Sequence, residues 1–270
     1  MSTGPVADCD VPEGLVVDAG RVFEWLGRPD VAVLDTRSAV AYREGHIPGA
    51  ANLPAGFLIG PLGDPISPAL LSRQLQRSGI ARDDIVVAVD EMGGQGAALL
   101  LWILHLYGHD AVQLLSGGWA AWVEAAYPAE SGPSGREPAD YELGQGPPGT
   151  VLALAEDVRS DGSIQLVDSR SAEEFGADEG SHIPGAINVE WTRNLQVTPN
   201  GAAWRSRGDL VDLYRSVGVN SSRPVVAYCH SGPRATVTYV ALREAGFQNV
   251  SVYFRGWREW EAQGGPSNRP

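Results

Sequence analysis

Short apolar runs, separated by polar and glycine-rich breaks, recur along the chain. In the second half, Ile164–Val167, Val225–Tyr228 and Val250–Phe254 have the length and β-branched content of buried strands. Between the last two lies Arg234 to Ala245, with apolar residues at Val237, Val240, Ala241 and Ala245. That spacing predicts a helix with one buried face, stopped at Gly246. In the first half, Ala97 to Tyr107 is almost wholly apolar, which predicts a deeply buried helix. Strand, crossover helix, strand predicts an α/β fold with a largely parallel sheet covered by helices.

The pattern occurs twice. Val31-Ala-Val-Leu-Asp35-Thr-Arg37-Ser is matched by Ile164-Gln-Leu-Val-Asp168-Ser-Arg170-Ser, and His46-Ile-Pro-Gly-Ala50 by His182-Ile-Pro-Gly-Ala186. Ile85-Val-Val-Ala-Val-Asp90 is matched by Pro224-Val-Val-Ala-Tyr-Cys229, and Gly118-Trp119-Ala-Ala-Trp122 by Gly256-Trp257-Arg-Glu-Trp260. The offsets are 133, 136, 139 and 138 residues, in unbroken order, so the chain is a tandem repeat with small loop insertions. The period is long enough for each copy to bury its own core. Ala129 to Gly149 is rich in Pro, Gly and charge and reads as a linker. The expected units are 10–130, a linker at 131–149, and 150–266.

Composition narrows the function classes. A net charge of −13 disfavours nucleic acid and anionic membrane as partners. An anion pocket in such a chain needs its own arginine or backbone N–H groups. No apolar run approaches the ~18–20 residues that cross a bilayer. The first ten residues lack the basic-then-apolar order of a secretory signal, so a cytoplasmic location is expected. The five histidines are scattered and form no metal-ligand motif, and the two cysteines, Cys9 and Cys229, form no CxxC. Neither metal nor cofactor is expected.

Cys229 follows an apolar strand directly, and His230-Ser231-Gly232-Pro233-Arg234 then leads into the helix. In parallel α/β sheets ligands sit beyond the carboxyl ends of strands, where loop N–H groups and a helix N-terminus converge on an anion. Gly232 permits backbone geometry that a Cβ resists, Pro233 suits helix entry, and Arg234 brings a fixed charge near the sulfur. Together they favour a thiolate and a catalytic cysteine. A strand-end cysteine alone is equally a buried structural residue. The degenerate twin tips the balance: Asp90 stands where Cys229 stands, and Gln95 where Arg234 stands. The first copy therefore reads as an inactive partner that packs on the second and forms one wall of its cleft. Asp35/Arg37, Asp168/Arg170, His46 and His182 occur in both copies, so they read as loop-fixing residues.

Both copies resemble rhodanese domains, and the whole chain is similar to tandem-domain thiosulfate/3-mercaptopyruvate sulfurtransferases. The resemblance covers about 15–128 and 150–264 and rests on the paired motifs above together with Cys229-His-Ser-Gly-Pro-Arg234. It implies a transferase in which Cys229 carries sulfane sulfur as a persulfide, from a small anionic donor to cyanide or a thiol. It also implies catalytic roles for Cys229 and Arg234, with His230, Ser231, Gly232 and Pro233 as the cradle. Phosphatases of similar fold place one residue more between cysteine and arginine, and the shorter loop here suits a single sulfur atom. The resemblance leaves a 3-mercaptopyruvate sulfurtransferase, or a non-catalytic sulfur carrier or partner-binding module, as alternatives.

Members preferring mercaptopyruvate often carry a Cys-Gly-Ser-Gly-Val-Thr loop and a basic residue four places after the second Asp-x-Arg arginine. This chain has a charged loop and Glu174 at that position, which favours thiosulfate. Arg170 and Trp191 are further cleft candidates; the latter reads equally well as a core or interface residue. A monomer is expected.

Overall fold

The computed structural model describes residues 14–91, 94–143, 151–159, 162–177, 181–199 and 201–268. Cys9, Met92, Gly93 and the 144–149 end of the linker lie outside the described residues.

The first copy runs β1 (Val16–Val17), α1 (Ala19–Trp25), β2 (Val31–Asp35), α2 (Ala39–Glu44), β3 (Ala51–Asn52), α3 (Pro68–Arg77), β4 (Ile85–Val89), α4 (Gln95–Leu106), β5 (Val112–Leu115) and α5 (Gly118–Glu124). The second runs α6 (Ala155–Val158), β6 (Gln165–Asp168), β7 (Ile187–Asn188), β8 (Leu195–Thr198), β9 (Gly201–Trp204), α7 (Arg207–Ser216), β10 (Val225–Tyr228), α8 (Pro233–Glu244), β11 (Val250–Tyr253) and α9 (Gly256–Ala262). The sheets have the orders β1-β5-β4-β2-β3 and β11-β10-β6-β7. Every pairing within them is parallel. Leu152 pairs in parallel with Val252 and so takes the edge place that β1 holds in the first sheet. β8 and β9 form a separate antiparallel hairpin.

The central strands are buried on both faces, which is why Ile85–Val89 and Val225–Tyr228 are continuous apolar runs and do not alternate. The register aligns Tyr228 with Asp168, so the chain leaves β10 beside the Asp-x-Arg loop.

The spacing in α8 predicts one buried face, but every residue from Ala235 to Leu242 is buried. The reason is the repeat itself: α8 covers its own sheet on one side and packs on α4 of the first copy on the other. Trp102 of α4 stacks on Phe254 of the second copy at 4.9 Å, and His105 Nδ1 lies 2.9 Å from the Tyr239 hydroxyl. The amphipathic pattern is lost because both faces of each helix are interior.

The described part of the 131–149 segment is docked on the first copy. Tyr141 is fully buried, its hydroxyl is 2.8 Å from His109 Nδ1, and its carbonyl accepts from Ser72 and Gln76. Arg136 pairs with Asp84 at 2.7 Å. One aromatic anchor is enough to hold a segment whose composition otherwise marks a linker.

Candidate active site

Cys229 is the first residue past β10, and it is 1% exposed. The loop after it turns so that the Gly232 N–H points back at Sγ, at 3.1 Å. That turn needs Gly232: its φ is +104°, and a Cβ there would meet the Phe254 ring at 2.5 Å. Pro233 occupies the first turn of α8, where its missing N–H costs nothing. The carbonyls of the loop are held from the far side. Trp257 N–H donates to Cys229 O at 2.8 Å and Arg258 N–H to His230 O at 3.1 Å. Gly256, at φ +58°, brings the first turn of α9 so close that a Cβ would collide with the Cys229 carbonyl oxygen. The cradle is therefore gripped between two helix N-termini. His230 is exposed and Ser231 half-buried at its rim.

Arg234 sits in the first turn of α8, and its guanidinium interacts with the Cys229 sulfur. It also makes a two-pronged ion pair with Glu174, at 2.5 and 2.9 Å. That pair holds the Glu174 carboxyl well below the usual range, at about 2. Glu174 thus stays anionic at any physiological pH.

Arg170 is placed otherwise. It is 3% exposed, grips both Asp168 oxygens and the Ser181 carbonyl, and stacks on Trp257 at 4.8 Å. A guanidinium so engaged fixes the loop after β6 and has little to offer a substrate. Arg37 repeats the arrangement with Asp35 and Gly45 O. His46 and His182 each turn Nδ1 to a backbone carbonyl, of Tyr42 and Phe175, at 2.8 Å. Trp191 is half-buried against the core, with its N–H on Ser169 O.

The first copy reproduces the frame without the chemistry. Trp119 N–H donates to Asp90 O, and Gly118, at φ +56°, would collide with the same oxygen if it carried a Cβ. Asp90 is 8% exposed, and its carboxylate accepts from Ala97 N at 3.3 Å. Burial raises its pKa to about 6. A raised carboxyl pKa means the charge opposes folding above that pH, a penalty that fades as pH falls through 6 and is gone below the ordinary value near 4. Asp90→Asn is therefore expected to stabilise the protein at pH 7.5, by an order of 1–3 kcal/mol, and to add nothing at pH 4. Thermal melts across that range check it, and a gain independent of pH would contradict it. Beside Asp90 lies an open cavity of about 350 Å³, lined among others by Ala41, Gln95 and Gly96.

Two features of the site had weak signals in the sequence or none. Gly256 and Gly118 were visible only as repeat markers; a glycine kept before tryptophan in both copies was the clue to a close backbone approach. The cross-domain clamp had no signal. Asp64, on a loop of the first copy, holds Arg255 at 2.7 and 3.0 Å, one residue before Gly256. The first copy thus braces the helix turn that grips the loop holding Cys229. The second copy returns the contact: the Trp204 ring covers Gly94, and Trp204 N–H donates to Ser116 Oγ at 3.1 Å.

A parallel sheet that ends in a cysteine, whose sulfur accepts a loop N–H and which is followed by an arginine in the next helix turn, occurs in the second copy, and the first copy repeats the frame with Asp90 and Gln95 in their places. The rhodanese-like domain family matches residues 18–125 and 151–263, and the chain belongs to that family. The thiosulfate sulfurtransferase of Corynebacterium glutamicum is 34% identical over 91% of this chain and 87% of its own. The thiosulfate sulfurtransferase of Pseudomonas aeruginosa is 28% identical over 93% of this chain and 94% of its own. Among solved structures, SseA from Escherichia coli, described as a 3-mercaptopyruvate sulfotransferase, is 26% identical with a TM-score of 0.79. The match covers 90% of this chain and 99% of that one. Among the described residues, no helix is long and apolar enough to cross a membrane.

Proposed function

We propose that the chain is a thiosulfate sulfurtransferase working through a persulfide on Cys229. The observation that carries the reading is the Gly232 N–H aimed at Cys229 Sγ, with the Arg234 charge acting on the same side chain from the first turn of α8. In the first half-reaction the Cys229 thiolate attacks the outer sulfur of thiosulfate. A bond forms between the two sulfurs, the bond to the oxidised sulfur breaks, and its electron pair leaves with sulfite. In the second, cyanide or a thiolate attacks the outer sulfur of the persulfide, and the electron pair of the S–S bond returns to Cys229. The Gly232 N–H stabilises the anionic sulfur on Cys229 before and after transfer, and Arg234 offsets the charge of the donor. No step calls for a metal or cofactor.

The catalytic unit in this reading is 150–266, the inactive unit is 10–130, and 131–149 joins them. His230, Ser231, Gly232 and Pro233 form the cradle, and Trp191 flanks the cleft. The enzyme acts as a monomer, since one chain supplies both the cysteine loop and the brace against it.

Thiosulfate is the favoured donor because its sulfonate lies one bond from the transferred sulfur, within reach of Arg234. Mercaptopyruvate carries its carboxylate farther from the transferred sulfur, and so cannot set it on Arg234 in the same way. The similarity to SseA supports mercaptopyruvate as the second reading. An unfavourable contact of ~1.4 kcal/mol changes a rate-constant ratio about tenfold. Side-by-side kinetics at saturating acceptor should therefore give a kcat/KM at least about tenfold higher for thiosulfate. A clear mercaptopyruvate preference would overturn the donor assignment.

A further inference from the structure

We infer that Glu174 is a built-in competitor for the donor's anionic group: its carboxylate occupies Arg234, and a donor binds by displacing it. The inference rests on the sulfurtransferase reading of the site and assigns Glu174 a specificity role within it.

The geometry supports displacement more than permanent structure. Arg234 faces two partners at once: its guanidinium is paired with the Glu174 carboxylate and its charge also acts on the Cys229 side chain. The ion pair is reachable from solvent, with side-chain exposures of 25% for Arg234 and 37% for Glu174. Among the described residues, the Glu174 carboxylate otherwise accepts one bond, from Ser171 N–H at a long 3.3 Å, and feels the charge of Arg170, which is itself committed to Asp168. Its backbone lies in an irregular wide helical turn, Glu173–Ala177, where Gly176 takes φ +146°. The Asp168–Arg170 pair nearby is the contrast: 0% and 3% side-chain exposure, a side-on fork through Nε and Nη2 where Arg234 uses Nη1 and Nη2, and a further bond to Ser181 O.

The silent copy supplies an independent observation. The register of the two Asp-x-Arg motifs matches Glu174 to Ala41, and the register of the strand ends matches Arg234 to Gln95. Both members of the pair are thus missing together in the copy that lacks the cysteine. Where they would stand, the first copy has the open cavity lined by Ala41, Asp90, Gln95 and Gly96. The fold tolerates that opening, so the pair is no requirement for folding. Its presence only beside Cys229 ties it to the chemistry there.

A cation left bare beside the catalytic sulfur would collect any cellular oxyanion. With Glu174 in place, an anion that touches only Arg234 gains nothing over the carboxylate it removes. A donor that also sets its outer sulfur against the cradle gains a second contact and wins. The carboxylate therefore trades affinity for selectivity.

The test uses sulfate as a probe and the full chain throughout. Calorimetric titration of sulfate into C229S and into C229S/E174Q should show about tenfold tighter binding to the second. E174Q with Cys229 intact should have a lower KM for thiosulfate, by a similar factor, and should be more strongly inhibited by sulfate. Unchanged or weaker sulfate binding in C229S/E174Q would overturn the inference and make Glu174 a positioning residue for Arg234. Should Glu174→Gln fail to fold, E174A gives the same readings, since Ala is the residue the first copy carries. Tighter sulfate binding without thiosulfate turnover would sink the donor assignment and leave the competitor in place. Turnover without tighter sulfate binding would do the reverse.

Discussion

Cys229→Ser is expected to lose thiosulfate-to-cyanide turnover by at least about 10³-fold, to the level of the uncatalysed reaction. The sulfur is the only atom in the site that both accepts and returns the sulfane sulfur. A serine oxygen cannot form the persulfide, and no second cysteine stands in the other cradle, where Asp90 is found. The substitution removes one buried atom's polarisability and little volume, so the fold should persist. Circular dichroism and the melting temperature of C229S should match the parent. Residual turnover above a few per cent would mean that another group carries sulfur.

The second large effect separates stability from chemistry by a matched pair. Gly118→Ala and Gly256→Ala place the same methyl at φ +56° and +58°, against the carbonyl oxygens of Asp90 and Cys229. In each copy relief requires the first turn of the following helix to move off the strand-end loop. That movement breaks the bonds from Trp119 and Ala120 in one copy, and from Trp257 and Arg258 in the other. Left-handed strain plus backbone collision should cost roughly 2–4 kcal/mol at either site. Denaturant melts should find the two variants similarly destabilised. Turnover under native conditions should fall by about 10²-fold or more in Gly256→Ala, because a loop shifted by about 1 Å misplaces the sulfur. In Gly118→Ala it should stay within about twofold of the parent, since that loop touches no reacting atom. Equal losses of turnover would show that the first copy takes a direct part in catalysis.

The strands were legible because both-face burial writes continuous apolar runs: Ile85–Val89 and Val225–Tyr228 are the cores of their sheets. Cys229 was legible because its neighbours are local in sequence: Gly232, Pro233 and Arg234 all act within one turn of it. Contacts made at long range were harder to read. Glu174 reaches Arg234 across 60 residues, and Asp64 reaches Arg255 across 191. No periodicity or motif encodes either. The position of Glu174 hinted at a role in donor choice, but its ion pair with the arginine of the loop emerges only in three dimensions. Arg170, by contrast, is read from its Asp-x-Arg motif as a loop-fixing residue with a second reading as a cleft cation, and in the fold it is buried and engaged with Asp168. The pattern in α8 understated its burial because a sequence window cannot show a second domain packed on the exposed face.

The fold gives the copy that carries Asp90 in place of the cysteine a structural part. α4 provides the apolar partner without which α8, the helix that begins at the cradle, would expose one face. Asp64 braces Arg255 just before the glycine that seats α9 on the loop. The first copy therefore contributes rigidity to the loop that holds Cys229.

The central claim is that Cys229 alone holds the transferred sulfur, and intact-mass measurement after incubation with thiosulfate, without reductant, tests it most directly. The parent should gain about 32 Da, the mass of one sulfur atom on the nucleophile. That gain should map to the peptide containing Cys229, vanish on adding cyanide, and be absent from C229S. An unmodified parent, or a gain that survives in C229S, would contradict the account.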